Sequence, residues 1–147
     1  MIRRAVPALL GLLALVACGG ERTTGGRYLA VDDTGLHPVP IERGWMIAVP
    51  ADAAQDVLGS PFNGAWSYHL VDIDEGDVLE AGGVWEPIGR GGQFDLPVEP
   101  GEWLVCAVAD GDGSRQPGTR GCSEVTIADG ARLTAMQGEH GFGVEVD

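Results

Sequence analysis

Few side chains in this sequence stand at the spacings that chemistry requires. His37, His69 and His140 are far apart and form no H-x-x-H or H-E-x-x-H pair, so a zinc centre has no support. Ser60, Ser67, Ser114 and Ser123 all lie outside any G-x-S-x-G elbow, and nothing along the chain points to a nucleophile with its base. Glu99 and Glu102 flank a Pro-Gly turn, but 22 acidic residues make such neighbours by chance, and they do not define a glycosidase. No catalytic residue is assigned, and the chain is expected not to be an enzyme.

Two acidic turns and four tryptophans could hold a ligand without catalysis. Asp110-Gly111-Asp112-Gly113-Ser114 begins like a calcium loop, but Arg115 and Gly121 stand where an EF-hand needs glycine and glutamate. Asp72, Asp74, Glu75 and Asp77 crowd a second turn. Either turn would hold calcium weakly, at ~0.1 mM or worse, and solvated loops with no metal are the expectation. Trp45, Trp66, Trp85 and Trp103 sit in apolar strand contexts, where large rings fill a core. Trp85, in Val84-Trp85-Glu86-Pro87, is expected to be the most exposed. With Trp66 it forms the candidate surface for stacking on a sugar ring.

The three cysteines divide into one and two. Residues 1–18 read MIRRAVPALLGLLALVAC: Arg3 and Arg4, then an uncharged apolar stretch from Ala5 to Ala17. That stretch is too short for a bilayer core of about 30 Å and the right size for the apolar part of a secretory leader. It ends in Leu15-Val16-Ala17-Cys18, which resembles the lipobox of bacterial lipoproteins. The resemblance implies cleavage before Cys18, a diacylglycerol on its sulfur and acylation, commonly palmitate, of its new amino group. Several acyl chains, at about 0.8 kcal/mol per buried methylene, hold firmly at a membrane. Gly19 to Gly26 (GGERTTGG) reads as a flexible tether. Cys106 and Cys122 remain, an even pair in an exported protein, and are expected to form a disulfide worth ~3 kcal/mol.

Composition narrows the partners. Loss of residues 1–17 takes the formal charge from −13 to about −15, because Arg3 and Arg4 leave with the leader. Such a surface repels nucleic acid and anionic lipid head groups. The organisation expected is a leader over 1–17, a lipidated terminus and tether over 18–26, and one domain over 27–147.

The elements that must carry these side chains are strands. The 24 glycines and 9 prolines punctuate short apolar runs without any repeat. Strands are expected from Arg27 to Val31, Gly44 to Val49 and Trp66 to Ile73, with a short helix near Asp52 to Gly59. Asp74 to Asp77 reads as a hairpin tip whose return strand starts at Val78. Glu102 to Ala109 is apolar on both faces and belongs at the centre of a covered sheet. Val125 with Ile127, Leu133 with Ala135, and Phe142 with Val144 and Val146 mark the last strands. Cys122 is expected at a strand entrance, out of regular register. Seven or eight short strands in one domain predict an all-β, antiparallel sandwich with one disulfide.

A second resemblance lies in Gly92-Gln93-Phe94-Asp95-Leu96-Pro97-Val98-Glu99-Pro100-Gly101-Glu102-Trp103-Leu104-Val105. It is similar to the G-x-F-x-L…P-G-x-Y-x-V run of prealbumin-like and carboxypeptidase-regulatory-like sandwiches. Trp103 stands where those domains usually have tyrosine, and Thr34 to Pro40 resembles their G-x-P-V-P segment. The resemblance implies Phe94 and Leu96 in the core, and an adhesion, scaffold or accessory role without catalytic residues. The expectation is therefore a lipid-anchored module on the extracytoplasmic face of the cell membrane. It would have no cofactor beyond its own lipid, and its partner would be an envelope protein or a glycan. Alternatives are a cell-wall glycan binder using exposed tryptophans, or an accessory domain of an envelope enzyme system.

Overall fold

A computed structural model describes residues 23–31, 37–58, 73–109, 120–138 and 141–147. Cys18, Trp66, Asp72, Asp110 and Asp112 lie outside the described residues. So do the Trp66 strand (except Ile73) and most of the tether.

Two sheets face each other. The first contains β1 (Thr24–Ala30), β2 (Val39–Pro40), β5 (Gln93–Leu96), β8 (Leu133–Gly138) and β9 (Gly141–Val146). The second has the order β4 (Val84–Pro87), β3 (Trp45–Pro50), β6 (Gly101–Val108) and β7 (Arg120–Ile127). This is the all-β sandwich that the pattern of short apolar runs predicts. One pairing departs from the antiparallel expectation. β1 runs parallel to β8, with Tyr28 opposite Ala135, while its contacts with β2 and β5 are antiparallel. Parallel neighbours need a long crossover, and here the whole second sheet lies between them in sequence.

Alternation along each strand builds the core. Tyr28, Met46, Ala48, Phe94, Leu96, Val105, Ala107, Leu133 and Ala135 point inward and are buried between the sheets. The opposite residues of the second sheet, Ile47, Val49, Leu104 and Cys106, are also buried, on its outer face. They are covered by α1 (Ala54–Leu58) and α2 (Glu75–Glu80), through Ala54 and Val78. β6 therefore has four consecutive buried residues, Leu104 to Ala107, as a central strand covered on both sides should.

Three expectations are corrected. Asp74 to Asp77 is not a hairpin tip. Asp74 caps α2, its Oδ1 accepting from the backbone N–H of Gly76 at 2.8 Å and of Asp77 at 3.4 Å, and Val78 is a buried helical residue. An N-capping aspartate and an Asx turn have the same local composition, and an apolar surface awaiting cover selects the helix. Cys122 sits in full register, directly opposite Cys106, with Cα atoms 4.0 Å apart and the disulfide formed. It shares its strand face with Glu124 and Thr126, which are exposed where Cys122 is buried. Finally, Thr24 to Gly26, expected in the tether, are the first residues of β1. Gly26 belongs there because a Cβ would come within 2.3 Å of the Phe94 ring.

Both sheets share their ends. Thr24, Pro50, Leu96, Gly101, Ile127, Leu133 and Val146 stand at one, joined across the sandwich by the segments 97–100 and 128–132. Ala30, Trp45, Pro87, Val108 and Arg120 stand at the other. No helix among the described residues is long and apolar enough to cross a membrane.

Candidate functional site

The helices cover only part of the outer face of the second sheet. β3 sends Trp45, Ile47 and Val49 to that face, and α1 and α2 pack over the Val49 side. At the other end of the face Trp45 is 39 % exposed. Trp85 of β4 lies opposite Ile47, on the same face and half-buried against the disulfide cluster. The two indole rings have centroids 6.3 Å apart and planes inclined at 46°. They form an open aromatic notch, with Pro87 opposite Trp45 on one side and Val108 on the other.

Such a notch suits apolar ring faces. The C–H face of a pyranose stacks on indole without any formal charge, and the indole N–H can donate to a sugar hydroxyl. Trp103 is built differently. It packs against the inner core, and its Nε1–H donates to the carbonyl of Glu99 at 2.8 Å, so it anchors the turn before β6.

Of the expected pair, Trp85 is therefore less exposed than expected, and its neighbour is Trp45. Trp45 was missed because its alternation with Ile47 and Val49 is that of a buried face. The signal that finds it is position: it follows Gly44 at the very start of β3, where a sheet runs out of cover. Asp74 spends its carboxylate on the helix cap, and Asp77 lies in the first turn of that helix. Among the described residues no group of three or more histidine, cysteine, aspartate or glutamate side chains could hold a metal ion. His37 is exposed, and Glu99 and Glu102 are solvated at the Pro100-Gly101 turn.

Fold and site together define a disulfide-bonded β-sandwich with an aromatic notch at one end of its helix-covered sheet. No protein-family model and no curated protein matches the sequence. Among solved structures, a protein from Pseudomonas aeruginosa proposed to bind carbohydrate is similar over 82 % of this chain and 89 % of its own, with 14 % identity and a TM-score of 0.47. A likeness this distant says nothing of what the present chain binds.

Proposed function

We propose that the chain is a non-catalytic binding module, anchored through Cys18 to the extracytoplasmic face of the membrane. The observation that carries this is Leu15-Val16-Ala17-Cys18 standing a few residues before the first strand of the sandwich. Only Gly19 to Thr23 separate the cysteine from β1, so the tether spans at most about 20 Å. The end of the sandwich that holds Thr24 is thereby kept near the bilayer, and the end with Trp45 points away from it. Metabolic labelling with a palmitate analogue, followed by fractionation, tests the anchor. The wild-type chain should be labelled and membrane-bound, and Cys18→Ser should lose the label and the membrane association together. An unlabelled, freely soluble wild-type chain would overturn the proposal.

A second reading is favoured by the exposed notch: the module binds cell-wall glycan by stacking on Trp45 and Trp85. A mature chain of net charge about −15 suits neutral sugar faces better than anionic polymers at that site. Tryptophan fluorescence titrated with soluble peptidoglycan fragments should change saturably. Trp45→Ala should weaken the binding at least about tenfold, or ~1.4 kcal/mol. Trp45 lies partly in solvent, so its removal should leave the fold intact. Absence of any saturable change would remove this reading without touching the anchor.

A further inference from the structure

The outer face of the first sheet carries a groove of about 490 Å³, on the opposite side of the sandwich from the tryptophans. Its floor is Gly25, the one position of the central strand on that face without a side chain. Across the floor, Asp95 of β5 pairs in register with Gly25. On the far side Arg132 and Asp147 hold each other through mutual backbone hydrogen bonds of 3.1 and 2.9 Å. The next row along the strands places Arg27 between Gln93 and Thr134. Phe94 and Leu133, which also border the groove, turn their side chains into the core.

The charge pattern here differs from that of the chain as a whole. Nine basic residues face 22 acidic ones overall, yet this groove gathers two arginines against two aspartates. All four are exposed, and none is in an ion pair with another described residue. The guanidinium groups of Arg27 and Arg132 are thus available, with planar forks that match a carboxylate. Asp95 and Asp147 flank them and can only accept hydrogen bonds, as from hydroxyl groups. A dianionic phosphate carries twice the charge of a carboxylate and would be repelled by the two aspartates about twice as strongly. An apolar molecule would find no apolar side chain to lie on. The volume lies within the range of about 300–1,000 Å³ common to small-molecule sites.

We propose that this groove is a binding site for a sugar bearing a single carboxylate. Arg27 and Arg132 hold the acid group, and Asp95, Asp147, Thr134 and Gln93 hold the ring hydroxyls. The site is independent of the aromatic notch, which takes neutral ring faces.

Calorimetric titration of the full chain in detergent tests it, with cellobiouronic acid as probe against cellobiose and dialanine. Cellobiouronic acid should bind saturably, and cellobiose and dialanine at least about tenfold more weakly. Arg27→Gln and Arg132→Gln should each weaken the acid at least about tenfold while leaving thermal unfolding unchanged. Gly25→Leu should abolish binding by filling the floor. A Cβ there meets only the exposed carboxylate of Asp95, at 3.2 Å, so the chain should still fold. Trp45→Ala should leave this affinity unchanged, which separates failure here from failure of the stacking site. Equal binding of cellobiose, preference for dialanine, no saturable binding, or indifference to both arginine substitutions would each overturn the proposal.

Discussion

Gly44→Ala is expected to be among the most damaging single substitutions, although it adds only one carbon. Gly44 has φ 115°, and a Cβ there would lie 2.1 Å from the carbonyl oxygen of Val108 and 2.6 Å from the Cα of Ala109. Two costs combine. A side chain at such a φ carries strain of about 1–3 kcal/mol. Overlap with backbone, which cannot rotate away, adds about 1–3 kcal/mol more. The total of roughly 4 kcal/mol should lower Tm by about 10–20 °C for a domain of this size. The control is Gly82→Ala. Its φ is 77°, but nothing lies within 4 Å of the added carbon, so only the conformational cost of about 1–2 kcal/mol applies. Gly44 also positions the notch. Its carbonyl accepts from the N–H of Ile88 at 2.9 Å, and Trp45 follows it directly. Where Gly44→Ala still folds, the fluorescence of Trp45 should report a more exposed indole. A melting temperature within about 2 °C of wild type would show that β3 and β6 can separate here at no cost.

The second large effect belongs to the disulfide. Cys106 and Cys122 are 16 residues apart, and the bridge removes freedom from the unfolded chain worth about 3 kcal/mol. Both cysteines also pack in the cluster beneath α1 and α2, at 0 % and 5 % exposure. Replacing both with alanine leaves that cluster short of two sulfur atoms, which adds a cavity cost to the entropic one. The double variant should unfold in urea with stability lower by at least about 3 kcal/mol. Burial has a kinetic consequence as well. A reductant reaches such buried sulfurs only when the packing around them opens, so dithiothreitol should reduce the native protein slowly and the urea-unfolded protein fast. Equal rates would mean that the packing around the disulfide opens freely in the native protein.

Much of this architecture is written locally. Alternation in Phe94-Asp95-Leu96 and the doubly apolar run Leu104 to Ala107 place those side chains correctly, because period-two burial needs only the strand itself. The pairing of Cys106 with Cys122 matches the even pair expected once Cys18 is set aside. Cys122's register does not. Its neighbours Glu124 and Thr126 are polar, and the face they share is buried only at Cys122, where the chain meets Cys106 across the sheet. Helical cover of the outer face turns Val78 from an expected strand residue into a helical one. It also explains why Trp45 is open to solvent while Val49, on the same strand face, is buried.

By itself, then, the sequence determined strands, turns, the disulfide partners and an acidic surface, and it supplied the lipobox-like segment before β1. Each depends on neighbours along the chain or on composition. Which end of a sheet face is covered depends on where two short helices dock, and so does the exposure of Trp45, while the register of Cys122 depends on how β7 pairs with β6. The groove over Gly25 arises from β1 lying between β5 and β8, strands that join it from distant parts of the chain. No local pattern encodes that meeting, because Arg27 and Arg132 become neighbours only when the sheet closes.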